Sequence, residues 1–200
     1  DVRDNGYGGG QGKVDADVVK YWKNRHMLFS KFDQGILLDR ESWYSVTPEC
    51  IATRHALRCR GKTVIDAFCG AGGNSIQCAQ VCERVIAIDA DPEKIRIAKH
   101  NAAVYRVAHK IDFITGDFFE VIGTLVDAGA SCIFMSPPWG GPCYKDRLVL
   151  DIRLMTVDGA AAISAASKVT PNVAAFLPKN SNMAQLVALG GLLAEGEGGR

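Results

Sequence analysis

Four short stretches hold the residues able to do chemistry. The first is Val64-Ile65-Asp66-Ala67-Phe68-Cys69-Gly70-Ala71-Gly72-Gly73-Asn74, a β-branched run that ends in an acid and turns through glycines. Glycines there permit positive φ and a close backbone approach by a ligand. A dinucleotide would set its pyrophosphate on the helix N-terminus that follows, where Asp66 is a poor neighbour. The same acid suits the ammonium of a methionine-type cofactor. A tight strand–helix turn with no ligand is the plain alternative. The second stretch is Val85-Ile86-Ala87-Ile88-Asp89, followed by Asp91-Pro92. An acid ending the second strand, about 20 residues beyond the glycines, can accept hydrogen bonds from two ribose hydroxyls. Asp89 could instead cap the next helix, but Asp91 is better placed for that. In the third stretch, Gly116-Asp117-Phe118, Asp117 could receive an adenine amino group or cap a helix, and both readings stay open.

The fourth stretch is Ser136-Pro137-Pro138-Trp139-Gly140-Gly141-Pro142. Its first two prolines fix their own φ, remove two donors and push Ser136 towards an extended conformation. The product is a rigid hook of carbonyls and a hydroxyl that accepts hydrogen bonds from a planar amine. Such a hook can hold that nitrogen in line with an electrophilic methyl. Trp139 adds a π face on which a base can stack, best of all a cationic one. A proline-rich loop around a core tryptophan is the bland alternative.

These residues need elements to position them. Strands are expected at Thr63–Asp66, Arg84–Asp89, Ile111–Thr115, Ser131–Ser136 and Asn172–Leu177. Helices are expected near Asn74–Val81, Pro92–Tyr105, Phe118–Asp127 and Gly159–Lys168. This alternation predicts an α/β fold, a Rossmann-like and mostly parallel sheet with helices on both faces. Ligands of such sheets bind beyond the carboxyl ends of the strands, which is where Asp66, Asp89, Asp117 and Ser136 fall. Upstream, apolar residues at helical spacing from Val14 to Phe32 predict a helix. Thr47 is expected to cap another, with Pro48 in its first turn and its end near Cys59. The division that follows is a flexible lead-in (1–12), a helical extension (13–60), a core (61–189) and a glycine-rich tail (190–200).

Composition narrows the class. Two hundred residues, 48% of them apolar, can bury the core of one domain. No apolar run approaches the roughly 20 residues of a membrane span, so no membrane partner is expected. The net charge is +1, whereas tracking along nucleic acid usually needs a strong basic excess. A small ligand, or a short piece of nucleic acid held locally, fits better. The seven cysteines form no CxxC pair and the four histidines are scattered, so no metal site is expected and the thiols read as reduced and buried.

The Ser-Pro-Pro-Trp hook resembles that of the amino-methyltransferases of nucleobases. More narrowly, Tyr21-Trp22, Leu28-Phe29-Ser30-Lys31-Phe32-Asp33, Gly35-Ile36, Leu38-Asp39-Arg40-Glu41 and Trp43-Tyr44-Ser45-Val46-Thr47-Pro48-Glu49 resemble the trimethylguanosine synthase family of RNA cap hypermethylases. So do Asp66-Ala67-Phe68-Cys69-Gly70, the hook itself and Phe176-Leu177-Pro178. The resemblance runs over roughly residues 20 to 180. It implies a class I methyltransferase that moves a methyl from S-adenosylmethionine to the exocyclic N2 of 7-methylguanosine in the 5′ cap of small nuclear or nucleolar RNAs. Residence would be nuclear, nucleolar or cytoplasmic. By position, Thr47, Asp66, Gly70, Asp89, Asn101 and Asp117 would contact the cofactor. Trp139 would stack on the methylated guanine, with Ser136 and Pro137 beside its amino group, and Lys20, Tyr144 and Lys179 would face the triphosphate.

Two departures accompany the resemblance. Lys179 stands where the family carries arginine, keeping the charge without the bidentate fork. The two strands that usually complete this sheet are expected to be missing, because Gly190–Arg200 shows no strand pattern. The rival readings are an adenine- or cytosine-amino methyltransferase, for whose base-flipping domain there is little room, and a catalytically impaired cap-binding protein.

Overall fold

The computed structural model describes residues 18–195. Its sheet has five strands, β1 (Thr63–Asp66), β2 (Arg84–Asp89), β3 (Ile111–Thr115), β4 (Ala130–Met135) and β5 (Val173–Ala175). Their order is β3-β2-β1-β4-β5, and every pairing is parallel. All five carboxyl ends therefore share one edge. The order reverses between β1 and β4, and the crevice at such a reversal is where these sheets take ligands. Asp66 ends β1 there opposite Phe134 of β4, and Ser136 follows the end of β4 two residues further on.

The strand residues alternate between two buried layers, as a sheet covered on both faces requires. Val64, Val85, Ala87, Cys132 and Phe134 face one apolar cluster, whereas Ile65, Ile86, Ile88, Ile133 and Met135 face the other. The helices are α1 (Val19–Lys23), α2 (Arg25–Leu28), α3 (Ser42–Ser45), α4 (Glu49–Cys59), α5 (Gly73–Val81), α6 (Pro92–Val104), α7 (Phe118–Ile122), α8 (Gly159–Ser167) and α9 (Met183–Glu195). Ala56, Ile76, Ala98 and Ala102 of α4, α5 and α6 join the first layer. Phe118, Ile122, Ala162, Ala166, Leu186 and Leu189 of α7, α8 and α9 join the second.

The segment ahead of β1 is bound to the first layer by ion pairs to a buried lysine and by a shared carboxylate. Lys94 of α6 is 8% exposed and sets its Nζ 2.8 Å from Asp39 and 3.2 Å from Glu41. Burial opposes both charges, but the pairing wins: it holds Asp39 below and Lys94 above their ordinary values. Glu49 accepts from the Ser30 amide at 2.6 Å, the Ser30 hydroxyl at 2.8 Å and the Tyr105 hydroxyl. An aromatic knot of Trp22, Phe32 and Trp43 fills the space behind.

Several expected boundaries move. The helix expected from Val14 is two short turns, because Asn24 leaves helical geometry and its side chain donates to the Lys20 carbonyl at 2.9 Å. Its first residues, with the lead-in at 1–12, lie outside the described residues. Thr47 does not cap α4: Pro48 occupies the cap position and the Thr47 hydroxyl accepts from Asn74 instead. The helix expected over Phe118–Asp127 tightens to a 3-10 turn at Gly123. The tail expected from Gly190 begins inside a helix, since α9 continues to Glu195. No strand follows β5 among the described residues, so β5 is an edge of the sheet.

Candidate active site

On the β1–β2 side the expected residues converge. Asp66 is 1% exposed, and its Oδ2 accepts from Ser75 Oγ at 2.6 Å. Its Oδ1 is buried and has no hydrogen-bond partner. Burial pushes the Asp66 carboxyl up to about 6, the Ser75 bond pulls it down, and the nearby Asp89 charge adds to the rise. Gly70 takes φ +51°, and a Cβ built there would meet nothing within 4 Å, so open space borders the turn. Its amide donates to Asp89 Oδ2 at 2.8 Å, and the Asp91 amide donates to Asp89 Oδ1 at 3.0 Å. Burial raises the Asp89 carboxyl, and those two bonds oppose the rise. Asp91 caps α6 through the Glu93 amide, which leaves Asp89 with the glycine turn.

Three of the expected cofactor residues already have partners within the protein. Asn101 is completely buried, with its Nδ2 donating to the Leu37 and Ala71 carbonyls at 2.9 Å each. Its Oδ1 accepts from the Leu37 amide at 2.8 Å. Both donors are committed to main chain, so its side chain fixes the glycine turn rather than reaching past it. Asp117 caps α7, accepting from the Phe119 and Glu120 amides through one oxygen, and Oδ2 takes no part in that cap. Thr47 is buried behind the turn and accepts from Asn74 Nδ2 at 3.0 Å.

Beyond β4, Pro137 is buried and Ser136 and Trp139 are half-buried. Trp139 is fixed by its Nε1, which donates to the Phe176 carbonyl at 3.3 Å. Tyr144 meets the indole nearly perpendicularly, with ring centres 5.2 Å apart, and Phe176 lies at 5.5 Å on a tilt. Tyr144 is thus a wall of the tryptophan site. Lys179 is exposed two residues after Leu177, and Lys20 is exposed with its Nζ 4.7 Å from the centre of the Tyr21 ring.

Sequence patterns missed Asn74 and His55. Asn74 stood just past the glycines and could have been found as a polar residue on a helix that buries nearly all its length. His55 gives no local signal, since its neighbours come from α5, β4 and the segment after β5. An open groove runs beside it, lined by Arg58, Phe134 and Val173–Phe176. Cys59, Cys69, Cys78, Cys82 and Cys132 are free and buried, and Cys50 is free and exposed. Among the described residues no acidic, histidine or cysteine cluster is placed to hold a metal, and no helix is long and apolar enough to cross a membrane.

Comparison with known proteins points the same way as this geometry. The family profile for RNA cap guanine-N2 methyltransferases matches residues 61–198. Trimethylguanosine synthase of Schizosaccharomyces pombe is 44% identical over 187 residues, covering 90% of this chain and 78% of that one. Its Saccharomyces cerevisiae counterpart is 37% identical over 179 residues, covering 84% of this chain but 57% of that protein. In fold, the chain is similar to a Porphyromonas gingivalis protein described as a methyltransferase. The TM-score is 0.64 at 18% identity, over 89% of this chain and 46% of that one. An S-adenosylmethionine-dependent methyltransferase of Agrobacterium tumefaciens gives 0.51 at 19% identity, over 73% and 50%. The chain belongs to the RNA cap guanine-N2 methyltransferase family.

Proposed function

We propose that this protein transfers a methyl group to the exocyclic N2 of 7-methylguanosine in the 5′ cap of RNA, with S-adenosylmethionine as donor. One observation carries the reading: the Ser136–Trp139 hook leaves β4 two residues beyond Phe134, the β4 residue paired with Asp66 of β1, at the reversal of strand order. The residues present fit the donor. Asp66 offers a buried carboxylate oxygen lacking a partner, suited to an ammonium, and the space beside Gly70 admits a ligand against the backbone. Asp89 keeps one lone pair on each oxygen for ribose hydroxyls. S-adenosylmethionine, when bound, supplies an electrophilic methyl on a sulfonium.

The chain's own residues then orient the acceptor. Trp139 stacks on the guanine, whose N7 methylation makes it cationic and strengthens attraction to the indole. Ser136 and the Pro137 carbonyl accept from the N2 amine, holding its nitrogen towards the methyl. The positive base also loses its N2 proton more readily, so no metal or covalent intermediate is required and orientation does most of the work. Lys20 and Lys179 face the triphosphate. The names of both yeast relatives support successive transfers to N2. With them we propose small nuclear or nucleolar capped RNAs as substrates and nuclear, nucleolar or cytoplasmic residence, on the same family resemblance.

The deciding measurement is turnover with 7-methyl-GTP against GTP. The 7-methylated nucleotide should be methylated at least about tenfold faster, the equivalent of ~1.4 kcal/mol in the transition state. Equal rates overturn the cap reading and favour a methyltransferase of another base amine. A second expectation concerns Asp89. Asp89→Ala removes charge-assisted hydrogen bonds worth about 1.5–3 kcal/mol and weakens S-adenosylmethionine at least about tenfold. Asp89→Asn, which keeps an acceptor for the Gly70 amide, should lose less. Calorimetric titration of both variants checks this, and unchanged affinity in folded Asp89→Ala removes Asp89 from the site.

A further inference from the structure

His55 touches both halves of this site without lying at the strand ends. It sits half-buried on α4, its ring stacked on Phe134 with centres 4.9 Å apart and 29° between planes. The same ring lies 4.9 Å from Phe176 on a tilt of 54°. Phe176 in turn accepts the Trp139 indole proton and packs against that indole. On its other side, His55 Nδ1 is 3.0 Å from Asn74 Oδ1. Asn74 Nδ2 donates to Thr47 Oγ1 at 3.0 Å, so its Oδ1 is the acceptor and His55 Nδ1 carries the proton. One imidazole therefore ends two chains of contact. Its ring runs through Phe176 to the tryptophan of the hook, and its N–H runs through Asn74 to Thr47 behind the glycine turn.

We propose that His55 is a positioning residue that sets the base platform and the cofactor wall against each other. The proposal rests on the assignment of Trp139 to the base and of the glycine turn to the cofactor. Each function of the imidazole can be kept while the other is removed. In His55→Phe the aromatic ring remains and the donor is lost. In His55→Asn the side-chain amide stands where Nδ1 stood, so a donor remains for Asn74 and the ring is lost.

The experiment measures equilibrium binding of S-adenosylmethionine and of 7-methyl-GTP separately to the full chain and to both variants, with circular dichroism to show that each is folded. His55→Phe should weaken S-adenosylmethionine about three- to tenfold, the range of one lost hydrogen bond, and leave 7-methyl-GTP within about twofold. His55→Asn should do the reverse, with a loss for 7-methyl-GTP of similar size from the missing ring contact. A histidine that only supports the fold predicts parallel losses of both ligands in both variants, and that result, or no loss in either, overturns the proposal. Should the wild type bind S-adenosylmethionine but not 7-methyl-GTP, the reading of the acceptor falls. The cofactor response to His55→Phe, and its retention in His55→Asn, then alone upholds or overturns the role of His55.

Discussion

Trp139→Ala is expected to weaken 7-methyl-GTP by roughly ten- to a hundredfold, corresponding to the ~1–3 kcal/mol that base stacking on an aromatic contributes. The indole is set before any ligand arrives. Its N–H is bonded to the Phe176 carbonyl and its ring packs against Tyr144 and Phe176. Little ordering is left to pay for on binding, so most of the stacking attraction appears as affinity. Trp139→Phe retains a π face but gives up the bond to Phe176, and should fall between wild type and alanine. The attraction is to a cation, so the preference for 7-methylated over unmethylated nucleotide should shrink with the indole. Binding of both nucleotides to the three proteins checks the series. Affinity that survives Trp139→Ala would take the base elsewhere.

The other large effect concerns Asp66. Its folded-state value of about 6 lies above the ordinary 3.8, so ionisation is harder in the folded protein than in the unfolded chain. A raised carboxylate costs stability once the unfolded chain ionises. The penalty is absent well below pH 3.8, grows as pH rises to about 6, and stays near 3 kcal/mol above it. Asp66→Asn cannot ionise. Wherever its baseline lies, its stability relative to wild type should fall by about 2–3 kcal/mol between pH 7 and pH 4. Denaturant melts of the ligand-free proteins at the two values measure this. The same ionisation governs cofactor binding if Asp66 faces an ammonium. Wild-type affinity for S-adenosylmethionine should then decline as pH drops through about 6, and the variant should bind at least about tenfold more weakly at pH 7. A variant that matches wild type in both would show that the buried oxygen has no part in the site.

The sheet was legible because each of its strands is a short apolar run, and four of them are punctuated by glycine or by an acid. Asp66, Asp89 and Ser136 could be placed from that pattern alone, since parallel strands must end on one edge. What escaped depended on contacts across the chain. Asn101 reads as an ordinary helix residue, yet it bonds to main chain 30 and 64 positions away. Thr47 has the composition of a cap, but Asn74 claims its hydroxyl. Asp117 satisfies the local rule for capping, and that rule held. The glycines at 190 and 191 read as tail, whereas Leu186 and Leu189 carry α9 onto the second apolar layer, and packing of that face outweighs weak helix propensity.

The clamp at Asn101 links parts of the chain that would otherwise respond separately. The Leu37 amide is held by the Asn101 side chain, and the same side chain holds the Ala71 carbonyl within the glycine turn. An opening of the turn that displaces Asn101 would also unlatch Leu37, far upstream in sequence. Slow exchange of the Leu37 amide proton with solvent would thus report how closed the turn is. Anything that quiets the turn would be recorded at that distant amide as protection, with the two regions sharing one free energy of opening.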